Sequence, residues 1–479
     1  PELLDKRPEW GSGRRNFTSL YLEPLPGPVM RELLAGLVPG LPESAVTAVI
    51  GRAEGIPLYA VETVRMLVAD GKVVAAGDGT YRPVGDLSLL AIPETLTALI
   101  AARLDALDPA DRSLVMDAAV LGQSFTVAGL AAVSGIDEGE LGTRLRALVR
   151  RELFGHTTDP TSPERGQHAF VQALIREVAY NTLARKDRKV RHLAAARFFE
   201  SLGNDELAGG LAGHYLAARE NAGEGAEADA LGAQARIALR GAAERAASLG
   251  GFDQALTFFE QALGVAGDPG DRAELSQRAG EVASTAGRHD ASERHLRAAV
   301  ELHRERNDRP ATARAVAALG RALNMAYRIE DAIALLEPAA TEFAELAPHV
   351  ALVAIGGQLA RAHFLLDHHQ RAIEVADQVL LAAERGDLKD LVADTLVTKG
   401  TALALTGRPI EGLGVLRAGM EVAEDGGLVE TVLRAANNRA VFDTPRNPRA
   451  GLTNSRKALA LARQFGARSW IATLVQGVV

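Results

Sequence analysis

The stretch Ala360–Val379, ARAHFLLDHHQRAIEVADQV, has two apolar helical patterns on either side of a short polar turn. Apolar residues recur every three or four positions on both sides, which is the spacing of helices that bury one face. Ala360 and Ala372 place small side chains in the two segments, where they allow two helices to approach closely. The stretch therefore predicts an antiparallel helical hairpin.

This hairpin pattern recurs through the second half of the chain, about every 40 residues. The turns end at small residues: Ala255, Ala291, Ala332, Ala372, Gly412 and Gly451. Further small residues stand twelve positions before the turn ends (Ala243, Ala279, Gly320, Ala360, Gly400) and seven positions after them (Ala262, Ala298, Ala339, Val379, Gly419, Ala458). In the last copy, Arg439 stands twelve positions before the turn end, where a small residue is expected. Either the pattern weakens there or the register slips. We predict an α-α superhelix of hairpin repeats over residues 231–479.

The composition of the whole chain also indicates a mostly α protein. Of the 479 residues 47% are apolar but only 4% are aromatic, so Ala, Leu and Val must build the core. The net charge of −8 argues against broad nucleic-acid affinity. The chain has no Cys, which excludes disulfides and thiolate metal sites. It has no apolar run of membrane-spanning length and does not open on a charged-then-apolar segment, so neither a membrane span nor a signal peptide is expected in this piece. We expect a cytoplasmic protein that does not bind membranes.

Four segments precede the repeats. Residues 1–24 include a β-favouring run at 17–22 that fits the last strand of a sheet, so the chain is expected to begin inside a domain. Residues 25–85 have helical apolar spacing and then a glycine-rich stretch, which is either a β-hairpin or a flexible connection. Residues 86–190 have the order of a winged helix, with helices, a two-stranded β-wing and a last helix. A helical linker is predicted over 191–230.

Helix starts in the predicted winged-helix domain carry their own signals. Pro93 and Pro109 are placed as first-turn prolines. Asp137 with Glu140 has the spacing of a capping box.

The segment AEGIPLYAVE, residues 53–62, places Gly55, Pro57 and Leu58 where a helix begins. One interpretation is a plain helix N-terminus, where Pro is common. The other is a tight turn that approaches a ligand, because Gly has no Cβ and the Pro ring is a rigid apolar surface. The residues alone leave both interpretations open.

The front half resembles the signal-transduction ATPases with numerous domains, which join an AAA-like or NB-ARC-like ATPase core, a helical lid, a winged helix and a repeat sensor. Four stretches carry the resemblance: RPEW…GSGRRNFTSLYLEPL, AEGIPLYAVETVRML, IPETLTALIAARLDALDPADRSLVMDAAVLGQSF and AFVQALIREVAYNTL. The repeats resemble tetratricopeptide repeats of a longer variety. Within the family, the sequence is similar to actinobacterial proteins with an adenylate/guanylate cyclase domain before the ATPase, and a LuxR-type regulator is the neighbouring alternative.

The resemblance implies domain roles and site residues. Residues 1–24 would be the end of a P-loop ATPase core and residues 25–85 the lid. In the family the Pro of a GxPL turn packs on adenine, which assigns Gly55, Pro57 and Leu58 to ATP or ADP binding. Gln172 stands where many members have a phosphate-sensing His, since the motif F-R-H-A-L is here FVQAL, residues 170–174. That departure puts phosphate sensing through Gln172 in doubt.

The sequence argues against enzyme activity in this chain by itself. It contains no G-x-x-x-x-G-K-[ST] loop to hold the β- and γ-phosphates. The strands that carry catalytic carboxylates in the family would lie before Pro1. ATP or ADP with Mg is therefore expected only in the intact parent, without tight binding to this fragment alone. No metal site is predicted, and His363, His368 and His369 are interpreted as solvent-exposed turn residues.

Two function hypotheses follow. In the first, the chain is the regulatory part of a signal-transducing ATPase, and the concave face of its repeats binds a protein or small-molecule effector that controls an output domain, a cyclase in preference to a transcription factor. In the second, it is a non-catalytic tetratricopeptide scaffold that holds protein partners, a hypothesis favoured by Gln172.

Two groups of basic residues are candidate binding surfaces. Arg144, Arg146, Arg150 and Arg151 fall on several faces of their predicted helix, which argues against DNA contact through this chain. The run at 185–191 is interpreted as a solvated helix face, with docking to an acidic partner or to phosphate as the alternative.

Overall fold

A computed structural model describes residues 23–77, 79–84, 95–158, 162, 165–347, 349–445, 447–464, 470–471 and 474–475. The predicted strand at 17–22 and the predicted helix start at Pro93 lie outside these residues. The described part is mostly α, as the sequence predicts. It separates into two compact units, Pro1–Phe198 and Phe199–Val479.

The first group of elements in the first unit is a set of three helices with a hairpin. Its elements are α1 (Gly27–Leu37), α2 (Glu43–Ala53), α3 (Pro57–Ala69), β1 (Val73–Ala75) and β2 (Tyr81–Pro83). The helices bury an apolar core that includes Met30, Leu34, Val49, Tyr59 and Leu67. The glycine-rich stretch is a β-hairpin, in which β1 and β2 pair antiparallel.

The second group combines helices with a small sheet. Its elements are α4 (Leu96–Asp105), α5 (Pro109–Leu121), β3 (Ser124–Phe125), α6 (Val127–Ser134), α7 (Glu138–Arg150), β4 (Phe154–His156), β5 (His168–Phe170) and α8 (Ala173–Thr182). The predicted order of helices, hairpin and helix is confirmed. The sheet has three strands, where two were predicted, since β5 pairs with both β4 and β3. Strand β3 was not predicted because two residues are too few to show an alternating pattern.

Asp108 and Asp137 are two of the capping residues that fix helix starts in this group. Pro109 is in the first turn of α5, and the side chain of Asp108 accepts hydrogen bonds from the N–H groups of Ala110 and Asp111. Asp137 caps α7 by accepting from Gly139 N–H. Glu140 does not complete a capping box, since its carboxylate pairs with Arg144 at 3.1 Å.

The basic run opens helix α9 (Arg185–Ser201), and its prediction as a solvated face is wrong for two residues. Arg188 donates to the carbonyl oxygens of Tyr180 (3.1 Å) and Asn181 (3.0 Å). Arg191 Nε lies 2.6 Å from the buried carboxylate of Asp117. Arg188 binds the last turn of α8, because exposed carbonyls at a helix end attract cations. Arg191 binds the middle of α5, because the buried carboxylate of Asp117 needs a counter-charge.

The second unit is built of helical hairpins. After the 3₁₀ turn Asp205–Leu207 and α10 (Ala208–Glu220), the hairpins are α11 (Ala226–Ser248) with α12 (Phe252–Val265), α13 (Pro269–Thr285) with α14 (His289–Glu305), α15 (Arg309–Met325) with α16 (Ile329–Glu342), α17 (Val350–Leu365) with α18 (His369–Arg385), α19 (Lys389–Leu405) with α20 (Pro409–Asp425), and α21 (Val429–Asp443) with α22 (Pro448–Gln464). A second 3₁₀ turn, Ala344–Leu346, follows α16. The predicted tetratricopeptide-like repeats are thus present.

The predicted phase of the second hairpin is wrong by one residue. The fourth residue of each second helix is the one that packs against the first helix, and in α14 this residue is Ser292 rather than Ala291. Ser292 is fully buried, and its hydroxyl donates to the Gly280 carbonyl at 2.8 Å. Ala298 is exposed accordingly, while Ala299 is buried.

A register slip explains Arg439. Helix α21 has 15 residues against 17 in α19, and the turn after it is only one residue longer, so this hairpin is one residue shorter before its second helix. Ala440 is the twelfth residue of α21, as Gly400 is of α19. Ala440 therefore takes the buried position, with 6% of its surface exposed. Arg439 remains half-buried and pairs with Asp443 at 3.2 Å.

No helix in the described part of the chain combines the length and apolar character needed to cross a bilayer.

Candidate functional sites: the Glu62 cluster and the repeat groove

The turn before α3 is a tight one. Glu54 and Gly55 both have left-handed backbone, with φ of 47° and 78°. Leu25 N–H donates to the Gly55 carbonyl at 2.8 Å, and a Cβ at Gly55 would lie 2.7 Å from the Leu25 carbonyl oxygen. The close approach that requires glycine here is therefore an approach to this chain's own segment before α1.

Pro57 and Leu58 begin α3 and differ in exposure. Pro57 is at the first helical position and is exposed, next to Ile56, which has 49% of its surface exposed. Leu58 is half-buried. Ile56 and Pro57 form an accessible apolar surface at the start of the helix, whereas Leu58 turns partly toward the core.

Glu62, five residues after Pro57, is the most buried charged residue among those that the structure describes in the first unit, with 1% of its surface exposed. Its Oε1 accepts from Arg65 Nη1 at 2.7 Å, and its Oε2 accepts from Arg103 Nη1 at 2.6 Å. Gln172 Nε2 also donates to Oε1, at 3.3 Å. One carboxylate thus connects α3 with α4 and with the N-cap of α8.

The two arginines extend this network to the end of α7. Arg103 donates to the carbonyl oxygen of Arg151, and Arg65 pairs with Glu152. We call Glu62, Arg65, Arg103, Glu152 and Gln172 the Glu62 cluster. Because a buried carboxylate needs partners on both oxygens, the cluster holds one mutual arrangement of these helices.

A cleft of about 620 Å³ opens beside the Glu62 cluster, among α1, α3, α4 and the end of α7. Arg65 and Arg103 line it with their paired guanidinium groups. Arg150 and Arg151 also line it and, among the described residues, have no carboxylate partner. Arg144, on the same helix as Arg150, is held by Asp111 at 3.2 Å and by Glu140.

The second candidate site is a groove along the first helices of successive hairpins. Three adjoining depressions of about 310, 380 and 370 Å³ form it. Their walls come from α13, α15, α17, α19 and α21, and Arg321, Gln358 and Arg361 each line two of the depressions. We call this surface the repeat groove.

A buried ion pair forms the floor of the repeat groove. Arg434 Nη2 donates to the carboxylate and to the carbonyl of Asp394, both at 2.7 Å. Only 9% of the Arg434 surface is exposed, and burial lowers the pKa of its guanidinium to about 10, against the opposing effect of Asp394. The Nε of Arg434 has no hydrogen-bond partner in the described structure.

Amide and hydroxyl side chains continue the polar lining. Asn438 Nδ2 donates to Thr401 Oγ1 at 3.0 Å, and Asn324 Nδ2 donates to the carbonyl of Gln358 at 3.0 Å. The Oδ1 of Asn324, a residue with 3% exposure, has no partner among the described residues. The groove therefore presents both charged and amide groups to a ligand.

Comparisons with protein-family models and with curated proteins return no match. Among solved structures, the chain is similar to a signal-transduction ATPase with numerous domains, with a tetratricopeptide-repeat sensor, from Pyrococcus horikoshii: 11% identity, TM-score 0.38, 94% of this chain and 68% of that chain. It is also similar to the Rap conjugation gene regulator of plasmid pLS20 in complex with the Phr* peptide (14%, 0.43, 61% and 86%). Aspartyl phosphate phosphatase F from Bacillus subtilis is a third such structure (13%, 0.39, 64% and 88%). At these scores the similarities carry no argument beyond the architecture already described.

The structure separates the predicted site residues into two sets. Gln172 lies in the Glu62 cluster, with its Nε2 directed at Glu62 and its buried Oε1 unpartnered in the described structure. Gly55, Pro57 and Leu58 lie at the start of the helix that carries Glu62, outside the cluster itself. Glu62 was not predicted as a site residue, although a carboxylate between Val61 and Thr63 in an apolar helix could have indicated a buried charge.

The prediction that three histidines are solvent-exposed is wrong for His363. This residue lies inside α17 with 5% exposure, and its Nε2 is 3.7 Å from a Glu337 carboxylate oxygen. Burial lowers the pKa of His363, while Glu337 opposes this effect. His368 is exposed in the turn and His369 is half-buried at the start of α18. No group of three or more metal-binding side chains occurs in the described part of the chain.

Proposed function

We propose that this chain is the regulatory part of a signal-transducing ATPase in which α1–α3 act as a lid over bound ATP or ADP. The observation that carries the proposal is the Glu62 cluster. A single buried carboxylate joins the helix that begins at Pro57 to Gln172, so the two positions that the resemblance assigns to nucleotide share one hydrogen-bond network. A nucleotide that touches Pro57 would bias the position of α3 and hence of α8.

The residues at the start of α3 fit an adenine ring. The Pro57 ring is exposed beside Ile56, so a planar base can stack on it without rearrangement of the core. Bound ATP would supply phosphoryl-transfer chemistry through groups of the intact parent, with Mg held there. This chain would supply the apolar surface on which the base stacks, and Glu62 would hold the lid helix α3 against α4 and α8.

The repeat groove would bind the effector in this proposal. Its polar floor, its amide side chains and its extension over several hairpins fit an extended protein segment or a small polar ligand. By the resemblance of the front half, the output would be a nucleotide cyclase in preference to a transcription factor, in the cytoplasm. DNA binding through Arg144 is disfavoured because Asp111 and Glu140 already hold its guanidinium.

The second candidate function is a scaffold that holds protein partners and has lost nucleotide binding. Two observations favour it. Gln172 uses its amide on Glu62, and the approach that requires Gly55 is to Leu25 of the chain itself. The repeat groove would bind a partner in either function. Nucleotide binding by the elements before the repeats therefore distinguishes the two functions.

The deciding experiment is calorimetric titration of the intact protein with Mg-ADP and Mg-ATP. Pro57→Ala removes the ring, and Pro109→Ala is the matched control because it is also an exposed first-turn proline. Loss of roughly 40 Å² of apolar contact corresponds to about 1 kcal/mol, or an approximately fivefold weaker Kd. We expect this loss for Pro57→Ala and no change for Pro109→Ala.

Absence of nucleotide binding in the full-length protein would favour the scaffold. Equal affinities of the two variants and the parent would remove Pro57 from the nucleotide site.

A further inference from the structure

A trough of about 680 Å³ lies among α16, α17 and α18, apart from the three depressions of the repeat groove. Its α18 wall carries residues that recur every three or four positions and therefore share one face of the helix: Arg371, Val375, Val379, Ala382 and Arg385. From Arg371 to Arg385 the helix rises by about 21 Å. We call this space the α18 trough; it is long and has an arginine at each end.

The α18 trough opens beside a short helix. Helix α16 has 14 residues, whereas the second helices α14 and α18 have 17 each. Pro338 lies inside α16, where it has no N–H to donate, and the helix ends at Glu342. In the repeat spacing that relates Ala332 to Ala372, Glu342 corresponds to Ala382. The end of α18 beyond Ala382 therefore has no helical counterpart in α16.

The walls of the α18 trough are mainly apolar. Four residues with at most 7% of their surface exposed line it: Val353, Leu359, Val375 and Val379. The uncharged polar side chains of the lining, Thr341 and Gln378, are both exposed. An extended peptide in the trough would lose hydration at its N–H and C=O groups without finding partners on these walls. An aliphatic chain has no such groups, so it fits the lining better.

The dimensions of the α18 trough favour a single extended chain. A volume of about 680 Å³ over a length of about 21 Å corresponds to a mean cross-section of about 30 Å². An α-helix with its side chains is about 10 Å across and needs roughly 80 Å². A Cβ at Gly356 would lie 2.7 Å from a methyl carbon of Val379, so α17 and α18 are in close contact there. The trough is too narrow for a partner helix.

The charges at the Arg371 end of the trough are already balanced. Arg371 Nη1 lies 3.1 Å from the carboxylate of Glu374. Glu337 also lines the trough, and its carboxylate is 3.7 Å from Nε2 of His363. A second negative charge at this end would be repelled by Glu337, so this end suits the apolar part of a ligand.

The opposite end carries an available cation. Arg385 is exposed in the last turn of α18 and, in the part of the chain that the structure describes, has no hydrogen-bonding side chain or carboxylate as a partner. The acidic residues near the end of α16 do not compete for it, because Arg304 lies 3.5 Å from Glu342 and Arg309 pairs with Glu345. The lining thus has two arginines against one glutamate, which matches a single negative charge.

We propose that the α18 trough binds a free carboxylic acid with one unbranched aliphatic chain, with the chain along Val375 and Val379 and the carboxylate at Arg385. This inference goes beyond the proposed function. The trough uses one face of α17 and the second helices α16 and α18, whereas the repeat groove uses first helices only. Its test is therefore independent of nucleotide binding and of effector binding in the groove.

The test is calorimetric titration of the full chain with hexanoate, octanoate and decanoate, each below its micelle concentration, and with decan-1-ol, which lacks the charge. Arg385→Gln removes the cation. Arg417→Gln is the matched control, since Arg417 is an exposed arginine on α20 that does not line the trough. Ala340→Phe places a ring in the trough, because Ala340 is a half-buried residue of its lining, and circular dichroism checks that this variant is folded.

We expect the affinity to rise roughly fourfold for each CH₂ added between hexanoate and decanoate, because each is buried against apolar walls. Decanoate should bind at least about threefold more weakly to Arg385→Gln than to the parent, with partial recovery in Arg385→Lys and no change in Arg417→Gln. Decan-1-ol should bind the parent more weakly than decanoate. Folded Ala340→Phe should lose at least about tenfold in affinity for decanoate.

Two kinds of result would overturn the site. Absence of decanoate binding, or unchanged affinity in folded Ala340→Phe, would remove the aliphatic chain from the trough. Unchanged affinity in Arg385→Gln, or equal binding of decanoate and decan-1-ol, would remove the carboxylate from Arg385. Sedimentation with phosphatidylglycerol vesicles tests a membrane lipid as the source of the chain, and co-sedimentation that Arg385→Gln abolishes would overturn the assignment to a free acid.

Discussion

Glu62 shows how one side chain can set the arrangement of several helices. Its two oxygens accept from Arg65 and Arg103, and Gln172 adds a third donor. The apolar spacing along α3 does not say which distant cations reach a buried carboxylate. Arg103 and Gln172 are 41 and 110 residues away in sequence, so the sequence alone did not predict the cluster.

Glu62→Gln tests the strength of this cluster. The substitution leaves two arginines without a buried counter-charge, so we expect the opening free energy of α3, measured by amide hydrogen exchange, to fall by about 3 kcal/mol. Glu43→Gln is the control, because Glu43 pairs with Arg31 at the surface, where loss of a pair costs less than about 1 kcal/mol. Similar losses in both variants would contradict the assigned role of Glu62.

His214 makes the second unit sensitive to acid. Burial lowers its pKa from 6.5 to about 4, and its ring lies 5.1 Å from that of Phe199. The unfolded chain takes up this proton as pH falls through 6.5, but the folded chain resists it until about 4. The stabilisation is therefore complete above pH 6.5 and is lost progressively between 6.5 and 4.

Urea titrations of the parent and of His214→Gln across this pH range measure the effect. The shift corresponds to a pH-dependent loss on the order of 3 kcal/mol in the parent that the variant should lack. His289→Gln, at an exposed position at the start of α14, is the matched control. Parallel pH curves for the parent and His214→Gln would contradict this role.

At the scale of elements, the helical hairpins could be predicted from the sequence because their turns recur at a regular spacing. Small residues at about 40-residue spacing predicted the hairpins, because only small side chains permit close helix contact. The phase failed at Ala291, where the adjacent Ser292 is as small as Ala and the sequence pattern fits either residue. The three-stranded sheet was missed because two residues of β3 carry no periodicity.

In the hairpin of α19 and α20, alanine substitutions at two nearby glycines are expected to change the stability in opposite directions. A Cβ at Gly412 would lie 2.5 Å from the Gly400 carbonyl oxygen, whereas a Cβ at Gly414 meets nothing within 4 Å. Gly412→Ala should destabilise the repeats by roughly 2 kcal/mol or more, since backbone atoms must separate. Gly414→Ala should stabilise them by about 0.8 kcal/mol through helix propensity.

Thermal unfolding followed by circular dichroism distinguishes these two variants. A loss of stability in Gly414→Ala, or no loss in Gly412→Ala, would show that the close contact between α19 and α20 does not determine the stability of this hairpin.

For the described part of the chain, the sequence predicted the mostly α composition and the tetratricopeptide-like repeats, because these depend on periodicity and small-residue spacing. It did not predict the side-chain partners inside them. Arg188 and Arg191 belonged to a run that looked solvated, yet they bind carbonyls and a buried carboxylate. A run of charged residues does not reveal the environment of its side chains, since the same residues can face solvent, a ligand or a neighbouring helix.

The repeat architecture predicts how damage spreads along the second unit. Each hairpin packs on its sequence neighbours, so stability is a sum of hairpin and nearest-neighbour contributions. In Gly412→Ala, hydrogen exchange should accelerate most in α19–α21, less in α17, and not measurably in α11 and α12, because local opening requires only the damaged contacts to break. Gly414→Ala is the control and should slow exchange in α20. Uniform acceleration from α11 to α22 would instead indicate that the repeats unfold as one cooperative body.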